Sequence, residues 1–465
     1  MLRGGARSGF PAPLPSRGAA LAYDRSEYQR KRISAEAAAA LVRSGSRLDY
    51  GFGIGQPDRF DAALAARKGE LREVRIRACL CMRPRAVLEQ DPEGRSFQYL
   101  SWHFSGYERR LHDAGRVCYI PFNFGEGPDL YRRFLRDEVD LACLKVAPID
   151  EAGCFNFSVV TTYLRAVCDV AKQIVVEVDP SLPVVSGSEN GVHLSEVDGI
   201  LDEAGSAALP ELPNPPASDV DRQVAGHVMS LIEDGACLQV GVGAMPNAVC
   251  SELARSGLRD LGIHTEMMVD GIVDLYESGA VTGIHKASDP GKLTYTFAAG
   301  SRRLYDFLDR SPVCVAHPVD YTNLPDRIAR NDKVFSINNT TQIDLQGQAC
   351  SETAGFRHLT GTGGQLQFVR GAFASRGGRS VICLSSTYER GEAPESRIVT
   401  TLTPGNVVTT PRTDVMYIVT EYGIACLKGR SVPERARALI EIAHPRFREA
   451  LEREAREKRI LPRGF

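Results

Sequence analysis

Residues 234–276, DGACLQVGVGAMPNAVCSELARSGLRDLGIHTEMMVDGIVDLY, read as two strand–turn–helix units in succession. The apolar run Cys237-Leu238-Gln239-Val240 predicts a short strand buried on both faces. It breaks at Gly241-Val242-Gly243-Ala244-Met245-Pro246-Asn247, and Ala248, Val249 and Leu253 then set a helical spacing. Pro246 suits the first turn of that helix, where a missing N–H costs nothing. A second run, residues 261–266, ends on the carboxylate of Glu266, and Asp270-Gly271 punctuates the chain just beyond it. A turn rich in backbone N–H groups at a helix N-terminus suits phosphate or pantetheine amides, and here it lies one strand from a lone acid. Each part also has a structural reading. Gly-x-Gly after a strand is a weak signal by itself, a glutamate at a strand end serves as an edge charge, and His264 is expected to be a packed polar residue rather than a base. These residues alone specify an α/β enzyme suited to a phosphorylated ligand.

The same pattern occurs earlier in the chain. SGSRLDYGFGIGQPDRFDAALAAR, from Ser44, and EDGACLQVGVGAMPNAVCSELARS, from Glu233, both run from Gly through a short strand to Gly-x-Gly, a nearby Pro and an amphipathic helix. This weak internal repeat points to two similarly built α/β halves. Residues 74–80 and 117–120 alternate like strands, buried-strand runs fall at 139–146 and 173–178 with a helical segment at 163–171 between them, and the succession of strands and helices predicts a largely parallel sheet covered on both faces. A helix is expected from Glu27 to about Val42, with Ser34 able to cap. The only Trp, Trp102, is expected to pack or else to line a pocket wall, and the aromatic and basic residues at 102–110 are candidates for lining the acyl pocket. Residues 205–218, GSAALPELPNPPAS, read as an extended linker. In the second half, four glycines within residues 361–371 imply close backbone approach to something. The charged amphipathic helices of 433–458 read as a packing element, with no catalytic part for His444.

Composition narrows the class. The 465 residues suffice for two or three domains, and 43% apolar with 25% charged residues is ordinary for a globular protein. A net charge of −2 gives no sign of nucleic-acid or membrane-surface binding, and no apolar run is long enough to span a bilayer. Twelve scattered cysteines, with no C-x-x-C and no second pair at zinc spacing, read as reduced thiols of a cytoplasmic protein without a metal site. Residues 1–25 are expected to be a disordered extension, since an Arg-bearing, acid-free start with three prolines suits neither a secretory signal nor an amphipathic transit helix.

GVGAMPNAV, LGIHTEMMVDGIVDLYESG, GTGGQLQFVRGA, VTEYGIACLKGRS and ERARALIEIAHPRFREAL, in this order, together with SWHFSGYERR, GSENGVH and PVDYTN, resemble the acetyl-CoA hydrolase/transferase family over nearly the whole chain. The resemblance implies an α/β fold of two tandem CoA-transferase-type (NagB/RpiA-like) domains with mainly parallel sheets, at residues 26–210 and 219–455, and an active site at their interface. It implies Glu266 as nucleophile, Gly243, Ala244, Met245, Pro246 and Asn247 as a CoA-binding turn, and Gly363-Gly364-Gln365 as a second binding loop. The family's acid in TEYG falls on Glu421, which is expected either to tune or hold a neighbour of Glu266 or to be a structural acceptor. Asn338 is a candidate amide in the acyl pocket and Arg397 a candidate charge near the CoA tail. One departure is Gln367, where such enzymes commonly carry Asp.

The chemistry implied is covalent catalysis by a carboxylate. Glu266 attacks an acyl-CoA, forming an acyl-glutamyl anhydride and then a glutamyl–CoA thioester, and a small carboxylic acid reverses the sequence. Ping-pong kinetics follow, with CoA thioesters as substrates and no permanently bound cofactor. Backbone N–H groups around Gly363-Gly364 are candidates for the oxyanions. Three alternatives stand beside this. Water could replace the acceptor acid, giving a hydrolase, the difference lying in how dry the pocket is. A nicotinamide-binding fold is disfavoured because Pro246 stands where a third glycine belongs, and a silent CoA-binding subunit is disfavoured by both glycine loops and Glu266 in one chain. The acyl group is left open among acetyl, butyryl, propionyl, 4-hydroxybutyryl and small dicarboxylates. A homodimer or homotetramer is the family-based expectation.

Overall fold

Seven strands between residues 47 and 201 form one sheet, in the edge-to-edge order Val117–Tyr119, Phe97–Ser101, Val74–Cys79, Arg47–Phe52, Leu141–Val146, Ile174–Val178, Gly199–Leu201. All its pairings are parallel. Eight strands form a second sheet, in the order Cys314–Ala316, Leu293–Tyr295, Gly262–His264, Cys237–Val240, Val334–Asn339, Arg379–Cys383, Tyr417–Thr420, Gly423–Cys426. Only its last pair is antiparallel. These elements come from a computed structural model that describes residues 23–203, 208–212, 215–241, 243–390 and 393–464. Residues 1–22 of the expected extension, parts of the expected linker (205–207 and 213–214) and Val242 lie outside the described residues.

The central strands Leu141–Val146, Ile174–Val178 and Cys237–Val240 are buried along their whole length, as apolar runs without alternation demand of strands covered on both faces. The internal repeat has a topological counterpart. Arg47–Phe52 and Cys237–Val240 each stand fourth from an edge of their sheet, and each leads into its glycine turn. Parallel pairing requires crossovers, and helices such as Arg59–Ala66 and Ala244–Leu253 supply them.

Two local expectations are corrected. The helix expected over 27–42 is two helices, Arg25–Lys31 and Ala35–Ala40. Between them Ile33 N–H donates to the Ile200 carbonyl at 3.0 Å, which draws the chain out of helix and onto the sheet edge; Ser34 Oγ then caps the second helix by accepting from Ala37 N–H at 3.2 Å. Asp270-Gly271 does not break the chain but begins the helix Asp270–Glu277. Gly271 serves close packing there, since a Cβ would lie 2.9 Å from Cβ of Cys250 on the neighbouring helix.

The two halves are joined by main-chain hydrogen bonds between segments outside the first sheet and segments of the second half. Ala298 N–H donates to Val159 O (2.8 Å), Ala316 N–H to Ser186 O (2.8 Å), Val319 N–H to Thr162 O (2.8 Å) and Phe124 N–H to Gly363 O (3.1 Å). One apolar core runs across the junction, containing Phe52, Leu144 and Val176 from the first sheet and Leu238, Ile263 and Tyr295 from the second.

Candidate functional site

Glu266 sits where strand pairing is interrupted. Gly262–His264 pairs with Leu293–Tyr295, and pairing resumes as Met267–Met268 against Phe297–Ala298. Its carbonyl accepts from the N–H groups of Thr296 (3.1 Å) and Phe297 (3.2 Å), which fixes the backbone and turns the side chain toward a cavity of about 320 Å³. Residues from both halves line that cavity. Phe52, Cys79, His103, Phe122 and Phe124 come from the first, and Gln239, Gly241, Asn338, Asn339 and the loop Thr360–Gln365 from the second.

One carboxylate oxygen is held. Asn323 Nδ2 donates to Glu266 Oε2 at 2.6 Å. The backbone N–H of Gly364 also favours the ionised form, and Gly364 is so close that a Cβ there would lie 2.1 Å from both Glu266 Oε2 and Asn323 Nδ2. Gly364 caps the helix Gln365–Ala374, so the positive end of that helix faces the acid. Oε1 carries no hydrogen bond among the described residues. Glu266 keeps some solvent contact through the cavity, yet the protein packed around its carboxyl group pushes the pKa up to about 7, the hydrogen bonds from Asn323 and Gly364 opposing that rise.

Asn323 is positioned in turn. It ends the short helix Val319–Asn323, and the adjacent Thr322 carbonyl lies 2.8 Å from Nε2 of His264. Burial holds His264 neutral, with a pKa of about 4, so it is a packed polar residue as expected, and its task is to anchor the segment carrying Asn323. Across the cavity His103 is also kept neutral by burial and by nearby His358, its pKa lowered to about 4, and its Nε2 pairs with Thr360 Oγ1 at 2.6 Å. Gly361 fits against it, since a Cβ there would lie 2.8 Å from His103 Nδ1.

The structure gathers some of the expected residues and spreads others. Gly363, Gly364, Gln365 and Asn338 line the cavity with Glu266. Asn338 Nδ2 donates to Ser336 Oγ (2.8 Å) and Gln239 Oε1 (3.2 Å). Of the turn 241–247, Gly241 borders the cavity, whereas Gly243, Ala244, Met245, Pro246 and Asn247 form the entry to the next helix and are not among its lining residues. Arg397 lines another cavity, of about 960 Å³, where it donates to Thr341 O (3.2 Å) and Thr387 O (3.3 Å) and lies over the Tyr388 ring. Glu421 accepts from Ser386 N–H at 2.9 Å and from the Ser386 hydroxyl, and it does not reach the cavity. Trp102 packs behind the wall, its Nε1–H donating to Tyr131 OH (3.2 Å) and its ring against Phe122 (4.7 Å). Of the aromatic and basic residues at 102–110 that were candidates for the pocket, His103 lines the cavity, whereas Asn323 and the phenylalanine wall were passed over. For Asn323 the signal was the PVDYTN segment; for the wall it was FNFG at 122–125.

A cavity-lining glutamate held beside a glycine loop, between two mainly parallel sheets, defines an α/β protein suited to chemistry at a carboxylate. The models of the acetyl-CoA hydrolase/transferase N-terminal and C-terminal domains match residues 18–208 and 300–455. The chain is 44% identical to butyryl-CoA:acetate CoA-transferase of Anaerostipes caccae, over 94% of this chain and 98% of that protein. It is 41% identical to a probable butyrate:acetyl-CoA coenzyme A-transferase of Syntrophomonas wolfei, over 93% and 97%. The crystal structure of RipA from Yersinia pestis superposes with a TM-score of 0.85 at 37% identity, covering 94% of this chain and 99% of that one. The chain belongs to the acetyl-CoA hydrolase/transferase family.

Proposed function

We propose that this protein is a CoA-transferase that moves CoA from an acyl-CoA to a small carboxylic acid, with its active site in the cavity between the two sheets and Glu266 as the nucleophile. The observation that carries this reading is the asymmetric hold on the Glu266 carboxylate: Oε2 is bound by Asn323 beside Gly364, while Oε1 has no partner among the described residues. Oε1 is therefore the attacking atom. It bonds to the thioester carbon, the C–S bond breaks, and CoA leaves as thiolate, giving the acyl-glutamyl anhydride. The thiolate then attacks the Glu266 carboxyl carbon. Negative charge collects on Oε2, where the Asn323 amide already stands with Gly364 beside the same carboxyl group, and the first acid leaves from the other side. Donors preset at the oxygen that gains charge are typically worth about 3–4 kcal/mol. The resulting glutamyl–CoA thioester is discharged by the second carboxylate through the same two steps in reverse, which makes the kinetics ping-pong.

The test is the intact mass of the purified protein after mixing with butyryl-CoA and no acceptor, beside Glu266→Ala. A CoA-sized adduct on the wild type, absent in the variant and discharged by acetate, is expected. No adduct with any of several acyl-CoAs, with CoA release persisting in the variant, would refute Glu266 as nucleophile. An adduct that water clears as fast as acetate does would make the protein a hydrolase.

A further inference from the structure

The cavity has two unlike walls. On one, Gln239, Asn338, Asn339 and Gln365 contribute to the lining, Asn338 Nδ2 donating to Gln239 Oε1 at 3.2 Å and Gln365 Nε2 to Thr410 Oγ1 at 3.1 Å. On the other, Phe52 packs against Phe297 (4.7 Å between ring centres) and Phe124 (5.6 Å), Phe124 meets Phe122 (6.0 Å), and Cys79 stands beside them. The Cys79 thiol is buried and its pKa lies well above the ordinary value, so it adds no charge. No Lys or Arg is among the described residues that line the cavity, and its one imidazole, His103, is held neutral by its surroundings.

A thioester bound at Glu266 has two unlike arms. The pantetheine arm carries amides and matches the amide wall; the acyl arm is left to the aromatic wall. We propose that the acyl chain lies against Phe52, Phe122, Phe124 and Phe297, and that this protein takes uncharged, apolar short-chain monocarboxylates and rejects dicarboxylates. The inference rests on the reading of Glu266 as the CoA-carrying nucleophile and deepens it. The physical reason is desolvation. A second carboxylate on the acyl arm would be buried against aromatic faces with no cation to pair with, and an unpaired charge is far costlier to bury than a methyl group is favourable. Sites that leave a charged or polar group unpaired discriminate by factors far larger than the loss or gain of one methylene.

Succinate is butyrate with its terminal methyl replaced by a carboxylate, so the pair isolates that charge. The glutamyl–CoA adduct is formed with butyryl-CoA, freed of excess donor, and its discharge by butyrate and by succinate is timed by intact mass. Butyrate is expected to clear it at least about 100-fold faster at equal concentration. A ratio near one overturns the proposal while leaving the adduct, and hence the transferase reading, intact; failure to form any adduct refutes the transferase reading instead. Phe122→Arg adds a second arm. Phe122 is only partly buried, so a guanidinium there can stay hydrated when unpaired. It is expected to shift the discharge ratio toward succinate at least about tenfold, the sign that a cation at this wall accepts the second carboxylate. An unchanged ratio in a folded variant overturns the placement of the acyl arm, and if the variant does not fold, the wild-type ratio decides alone.

Discussion

Glu266 combines a raised pKa with a fixed geometry, and both have measurable consequences. If Glu266 is the nucleophile proposed above it must be ionised to react, so kcat/KM is expected to fall as pH drops through about 7, following the folded pKa of Glu266 rather than the ordinary carboxyl value of about 4.5. Between those two values the unfolded chain holds fewer protons than the folded one, so stability falls as pH rises through the window. Glu266→Gln removes that loss. The variant is expected to gain roughly 1–3 kcal/mol over the wild type at pH 8 and little at pH 4, a figure discounted for cavity water. Denaturant titration at the two pH values checks it; equal differences at both would show that the acid is not desolvated. Gly364 makes a sharper steric test. Its φ of −101° lies in a region open to any residue, so Gly364→Ala strains no backbone, but the new methyl would fall on Glu266 Oε2 and Asn323 Nδ2. Turnover is expected to drop at least about 100-fold, the scale of losing an oxyanion donor, with the fold retained by circular dichroism. Unchanged turnover would mean that this contact has no part in the reaction.

At the scale of elements, the helix Gln365–Ala374 carries both the glycine loop and the contact that positions the opposite wall. Gln367 Oε1 accepts the buried N–H of Gly125 at 2.8 Å, and Gly125 follows Phe124 in the aromatic wall. The neutral amide of Gln367 thus anchors a loop of the other half. Gln367→Ala leaves that N–H unpaired and is expected to cost about 1–3 kcal/mol. It should also raise KM for the acceptor acid more than it lowers kcat, because the loop positions the wall and not Glu266. Steady-state kinetics on a folded variant separate the two; a fall confined to kcat would contradict the assignment. Glu421, by contrast, braces Ser386 away from the cavity, which favours the structural of its two expected roles.

Across the whole molecule the halves share an apolar core and are expected to unfold together. The apolar core crosses the junction, and extended backbone near Ser186–Gly187 lies directly against Ala316, where a Cβ on Gly187 would come 1.6 Å from the Ala316 carbonyl oxygen. Gly187→Ala is therefore expected to destabilise by at least roughly 1–3 kcal/mol, as overpacking does, and to lower the single unfolding midpoint. Two separate transitions in calorimetry, only one of them shifted, would show that the halves fold independently.

The parts of this protein set by short-range pattern were legible in the sequence. Buried parallel strands announced themselves as unbroken apolar runs, Pro246 and Ser34 marked helix starts, and the repeated strand–glycine–helix unit foretold two similar sheets, because each signal acts within a few residues. Glu266 was visible through its motif. What the tertiary structure alone decided is everything that depends on distant segments meeting. Asn323 reaches Glu266 across 57 positions and Gln367 reaches Gly125 across 242, and no local periodicity encodes such pairings. The break at Ile33 comes from a sheet edge far along the chain. The elevated pKa of Glu266 and the aromatic lining of its cavity exist only once the two halves pack together and strip most of the water from the carboxyl group, which is a property of the packed molecule and not of any stretch of it.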